Sequence, residues 1–290
     1  LAIVALSVVL LTGWSGSVSL GQFAIAGTGG LVAANLVGRA EVDAFVALAA
    51  AGVVGAVVAV LVGLPALRVS GMFLAVTTLA FAVAMDSFFL NPVNFRDAIP
   101  GSFERPVLWG RVDLQSETAM YYLCLAILGL TVAALLGIRR ARTGRGMLAT
   151  RDNAPTAASS GVSPVRTRLG AFVISGAVAG VGGALYAFVL AGLGHHTYET
   201  STSLLVFSMA LIGGIEVVGG ALIGVVLVQL VSYLYPEFRL IVTGAGALAV
   251  LMAVPRGVIQ VVPSAEIAVH TPPARWRGLP KSAPLPPAAP

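Results

Sequence analysis

Ala119-Met-Tyr-Tyr-Leu-Cys-Leu-Ala-Ile-Leu-Gly-Leu-Thr-Val-Ala-Ala-Leu-Leu-Gly-Ile138 runs without a single charge. At ~1.5 Å of rise per residue, a helix of that length reaches ~30 Å, the thickness of a bilayer's hydrocarbon core. Arg139, Arg140, Arg142 and Arg145 follow at once. An apolar span that ends in arginines reads as a transmembrane helix whose basic end faces the cytoplasm.

Working outward, the same reading recurs. Phe45–Leu64 carries no charge, and neither does the glycine-rich Leu169–Leu193. Met72–Leu90 carries only Asp86, and Leu20–Val37 is apolar apart from Gln22, Asn35 and small polar residues. Leu204–Tyr235 is long for one span and contains Glu216 among Gly213, Gly214, Gly219 and Gly220, so it reads as a half-helix, a break and a full helix. Leu240–Val254 is short, but Arg239 and Arg256 beside it can snorkel. Leu1–Leu11 opens in mid-run, too short to span, which fits a non-standard start or a fragment missing an upstream helix. Hydrophobic residues make up 58% of the 290 and charged residues 10%, against ~25% charged in soluble domains. Too little polar surface is available for a cytosolic enzyme, a secreted domain or a disordered chain. The expected fold is an all-α, polytopic transmembrane helical bundle with broken helices and an internal pseudo-repeat.

The loops set the orientation. Arg139, Arg140, Arg142, Arg145, Arg151, Arg166 and Arg168 fall in residues 139–168 against one acid, Asp152, which makes this loop cytoplasmic. Asn91–Thr118 and Gly194–Ser203 then lie outside, with Arg68 and Arg256 inside. The net charge of +5 follows from this bias, and no nucleic-acid partner is expected. The membrane domain is expected over 1–262. Residues 263–290 hold eight of the sixteen prolines, so they read as a disordered cytoplasmic tail.

Absences narrow the chemistry. Lys281 is the one lysine and lies in the proline tail, so the Gly-rich loop with Lys that holds nucleotide phosphates cannot form. No H-E-x-x-H or G-x-S-x-G occurs, so no catalytic residue and no metal site is expected. Cys124 reads as an inert core thiol, and His195 with His196 as an outer-loop pair. Asp86 and Glu216 are the acids within spans, leaving an ion-coupled carrier or channel as the alternative. Interrupted, glycine-rich stretches at Thr12–Gln22 and Gly213–Gly220 point to a substrate path. Close helix packing is the competing reading for both, and it is preferred for Gly176, Gly180 and Ala184 at four-residue spacing. Met147–Arg151 can begin a short helix, Pro155 suits an interruption or the first turn of another, and Gly161 suits a C-cap.

Thr12–Gly27, Leu67–Phe81 and Gly144–Asn153 with Gly161-Val162 are three stretches that together resemble the permease subunit of branched-chain amino acid ABC importers. Thr12-Gly-Trp-Ser-Gly-Ser-Val-Ser-Leu-Gly-Gln-Phe-Ala-Ile-Ala-Gly27 is similar to the family's G-Y-x-G-x-x-S-L-G-H-A-x-F-x-G. Leu67-Arg-Val-Ser-Gly-Met-Phe-Leu-Ala-Val-Thr-Thr-Leu-Ala-Phe81 is similar to L-R-L-x-G-x-Y-L-A-L-x-T-L-A-F. Gly144-Arg-Gly-Met-Leu-Ala-Thr-Arg-Asp-Asn153, through Gly161-Val162, is similar to G-R-A-L-x-A-I-R-D-N … G-V. The likeness departs at Gln22, where the family has His, at Ala158, where it usually has Glu, and in Asn91–Arg111, which lacks T-G-G-x-x-G-L.

The resemblance implies a multi-pass subunit of the bacterial plasma membrane, without cofactor of its own. Two cytosolic ABC ATPases, carrying ATP and Mg, would grip the loop at Arg145, Arg151, Asp152, Asn153 and Gly161. A second related permease would complete the path, and an extracytoplasmic binding protein would deliver the amino acid. Ser17, Ser19, Gln22, Thr28, Gly213 and Gly214 are the candidate path residues. The wider group also includes sugar permeases, so another small polar solute is the other substrate reading.

Overall fold

The computed structural model describes residues 1–67, 71–91, 93–95, 99–108, 112–113, 115–194, 197–234 and 244. Arg68, His195, His196, the span expected at Leu240–Val254 (bar residue 244) and the proline-rich tail lie outside the described residues. Ten α-helices occur among the described residues. Helix α1 (Ala2–Val8) runs on as a π-helical turn through Val9–Trp14. Then come α2 (Gln22–Ala40), α3 (Ala44–Ala66) and α4 (Met72–Ala84), the last extended by a π-turn at Met85–Phe89. A two-residue antiparallel pair, β1 (Val107–Leu108) with β2 (Val112–Asp113), sits in the segment before α5 (Glu117–Arg140). The chain continues with α6 (Arg142–Asp152), α7 (Ala154–Ser159), α8 (Pro164–Leu190), α9 (Thr200–Gly213) and α10 (Val218–Leu234).

Among the described residues five elements are long and apolar enough to cross a membrane: α2, α3, α4 with its π-turn, α5 and α8. Their outward faces suit lipid. On α3, Val53, Val57 and Leu61 recur every four residues and are all exposed, as are Tyr121, Leu125 and Leu130 on α5. Trp14, Phe23, Phe172 and Phe188 fill the interior.

Close approach without side chains holds α2, α3 and α8 together. Gly176 and Gly180 of α8 lie against the backbone of Ala51 and Gly55 on α3, and a Cβ on Gly29 of α2 would fall 2.6 Å from Gly180 Cα. Lipid supplies no hydrophobic drive between helices, so backbone contact through small residues does that work. The packing reading of the Gly176, Gly180 and Ala184 spacing therefore holds.

Two expectations shift. Helix α9 starts at Thr200, inside the stretch read as outer loop, because Asp86 on the π-turn after α4 caps it. Thr200 N–H and its hydroxyl donate to Asp86 Oδ2 at 2.9 and 3.0 Å. Asp86 therefore satisfies a helix terminus. Arg166 and Arg168, assigned to the cytoplasmic loop, instead ride on the opening turns of α8, whose start is set by Ser163 as N-cap and Pro164 in the first turn.

Candidate functional site: two chain breaks and a helical arm

The first break, Ser15–Gly21, separates the π-turn from α2. Its backbone groups lie outside any regular helical ladder and need partners elsewhere. Leu20 N–H donates to Thr78 Oγ1 of α4 at 3.0 Å, and Ser203 of α9 donates its hydroxyl to Leu20 O. Ser17 N–H donates to Leu11 O at 3.1 Å, and Ser15 Oγ lies 3.0 Å from Ser17 Oγ. The second break, Gly214–Val217, turns the chain back so that α9 and α10 meet at 119°. Gly214 has φ +113°, a conformation that an L side chain resists. Gly213, Gly220 and Gly224 allow the two arms to touch through backbone.

The breaks meet one another. Gly13 packs directly on the Ile215 carbonyl, and Trp14 Nε1–H donates to Glu216 O at 3.1 Å. Arg139, at the end of α5, stands 5.8 Å from the Trp14 ring centroid, within cation–π range.

The arm α6–α7 reaches the same place. Met147 and Thr150 bury α6 against the bundle. Arg151 Nη1 donates to Gly13 O, and Nη2 donates to Glu216 Oε1. Its stem lies over Gly16. Asn153 ends α6 and caps α7, its Oδ1 accepting from Thr156 N–H at 3.0 Å. Pro155 falls in the first turn of α7. Gly161 (φ +82°) closes α7: its N–H donates to Ala158 O and that of Val162 to Ala157 O, both at 3.0 Å. This is the paired carbonyl closure of a Schellman end. Arg145 turns away and donates to Arg140 O at 2.8 Å. Asp152 stays exposed, 3.8 Å from Arg151 Nε.

The other path candidates divide. Ser17 and Ser19 are buried in the first break, Gly214 is buried in the second, and Gly213 is buried in the last turn of α9 beside it. Thr28 lies within α2 and donates to Ile25 O of its own helix at 2.7 Å. Gln22, 2% exposed, joins three helices. Ser7 Oγ lies 2.7 Å from Val4 O, and Ser175 Oγ lies 3.0 Å from Ser7 O; Gln22 Oε1 sits 3.2 and 3.1 Å from the same two hydroxyls. Each hydroxyl has one proton. If both protons go to the carbonyls, the amide is best satisfied with its NH2 turned toward the two hydroxyl oxygens, for the opposite orientation leaves that buried NH2 without an acceptor.

The sequence reading did not pair Arg151 with Glu216. The signal was present: an acid inside an apolar span needs a cation or water. Behind the breaks, Phe23, Tyr186 and Tyr198 form an aromatic cluster with centroids 5.4 to 5.7 Å apart. Tyr198 donates its hydroxyl to Gly183 O at 2.8 Å, and burial pushes that hydroxyl's pKa up. Cys124 is half-buried on α5. Among the described residues no group of acids, histidines and cysteine is placed to hold a metal.

A multi-pass bundle, with two adjacent interruptions and a helical arm tied to both, has the architecture of a membrane transport subunit. Residues 1–256 match the family described as the branched-chain amino acid transport system permease component. The chain belongs to that family, as a multi-pass protein of the bacterial inner membrane. It is 27% identical over 284 residues to the high-affinity branched-chain amino acid transport system permease protein LivM of Salmonella typhimurium, covering 89% of this chain and 67% of that one. Against LivM of Escherichia coli K12 the identity is 25% over the same coverage. No solved structure matches the chain.

Proposed function

We propose that this chain is the permease subunit of an ATP-driven importer that brings branched-chain or related amino acids into the bacterial cell. The observation that carries the reading is the arm: a capped helical pair outside the spans whose Arg151 touches both chain breaks. Two cytosolic ATPases bind ATP and Mg and grip residues 139–168, with Arg145, Asp152, Asn153 and Gly161 shaping the gripped face. A second, related permease completes the path, and an extracytoplasmic binding protein delivers the solute. The names of the relatives support the amino-acid assignment.

A zwitterion with an aliphatic side chain needs few charges along its way. Dipoles and small polar groups at broken helices suffice. Ser17, Ser19, Gly213 and Gly214 offer these at the breaks, while Gln22 and Thr28 lie on α2 just beyond. The acids that an ion-coupled carrier would use are both engaged, Asp86 as a helix cap and Glu216 with Arg151, which favours the ATP-driven reading.

Uptake of labelled leucine into proteoliposomes holding the whole complex tests it, with ATP and binding protein present or withheld. Uptake that requires both supports the proposal. Uptake by this chain alone, driven by a proton or sodium gradient, overturns it. For the path, Gln22→Ala and Gln22→Leu are expected to change rate, affinity or solute choice; unchanged values remove Gln22 from it.

A further inference from the structure

Helix α6 reaches the two chain breaks through one guanidinium. Arg151 donates with Nη1 to Gly13 O at the end of the first helical run and with Nη2 to Glu216 Oε1 in the turn between α9 and α10. The two breaks also grip each other: Gly13 lies on the Ile215 carbonyl, and Trp14 donates to Glu216 O. A displacement of α6 therefore pulls at once on the chain ends that bound both breaks. A bidentate, planar donor suits this task, because its two N–H arms have fixed geometry.

The pair is only partly covered by its own chain. The side chains of Arg151 and Glu216 keep 29% and 39% of their accessible surface. A pair that its own chain encloses only in part can form and break during a cycle without trapping one state. A fully buried pair could not do so without stranding charges.

We propose that Glu216 is a positioning residue for transport. As the acceptor for Arg151, it latches the cytoplasmic arm to both chain breaks, and this bond opens and re-forms as the arm moves. The proposal rests on the reading of residues 139–168 as the segment that the ATPases move.

The test uses the complete complex in proteoliposomes, with labelled leucine as probe, and compares Glu216→Gln, Arg151→Glu and the exchanged pair Arg151→Glu/Glu216→Arg. The quantity read is ATP hydrolysed per leucine moved, alongside yield of the complex. A latch predicts that Glu216→Gln assembles like the wild type and hydrolyses ATP at a similar rate, yet moves about tenfold less leucine per ATP, in the usual range for coupling between sites. The exchanged pair recovers part of the loss seen in Arg151→Glu alone. An unchanged ratio in Glu216→Gln overturns the latch. So does a parallel fall in yield, hydrolysis and uptake, which marks a purely structural contact. Failure of the wild-type complex to contain ATPases or to need ATP removes the functional reading and the latch together, and is told apart by the wild-type control.

Discussion

Gly180→Ala is the most searching perturbation of the bundle. The new methyl would point at α3, where it would meet the Ala51 carbonyl, with Ala51 C at 3.0 Å and Gly55 Cα at 3.2 Å. These are backbone atoms, so no side chain can rotate away. Ordinary carbon contacts need ~3.5 to 4.0 Å, and α8 must back off from α3 by about 1 Å. That movement also disturbs the close Gly29–Gly180 approach to α2. Overpacking of this kind costs ~1–3 kcal/mol. Taking about 2 kcal/mol, the folded-to-unfolded ratio falls about thirtyfold. Gly129→Ala on α5 is the matched control, because nothing lies within 4 Å of its Cβ position and alanine favours the helix. Thermal melting of the purified protein in mild detergent should show Gly180→Ala several degrees below wild type and Gly129→Ala at or above it. Equal melting of all three proteins would refute the small-residue packing of α2, α3 and α8.

Asp86→Ala removes the cap of α9 and should cost about 1 kcal/mol in the same melt, whereas Asp86→Asn, which still accepts, should lose little; with either variant uptake should still follow ATP and not a proton gradient. Asn153→Ala uncaps α7 and should cost about 1 kcal/mol locally, seen as weaker retention of the ATPases on purification at unchanged membrane level. Trp14→Phe keeps an aromatic face but loses the indole N–H donor to Glu216 O and leaves a cavity where the larger ring sat, and should lower stability by roughly 2–3 kcal/mol.

The spans were readable because lipid demands long uncharged runs, and Ala119–Ile138 or Phe45–Leu64 can be little else. The breaks were readable as glycine clusters inside apolar stretches. The end of α7 was readable too, since Gly161 supplies a backbone conformation that few other residues tolerate. What was hidden lies between distant residues. The start of α9 depends on Asp86, 114 positions earlier, and local pattern assigned Thr200–Ser203 to a loop. Arg151 and Glu216 were each noticed, one as part of the arm and the other as an acid at a break. Their pairing spans 65 positions and follows only from the fold of α8 and α9 between them. The tiny β1–β2 pair left no apolar alternation long enough to notice.

The most direct measurement is purification of the intact chain from its native membrane in mild detergent, with every co-purifying protein identified by mass. The account predicts two nucleotide-binding ATPases and a second hydrophobic permease in stable association. Recovery of this chain alone, compact and able to move solute after reconstitution without ATP, would contradict it.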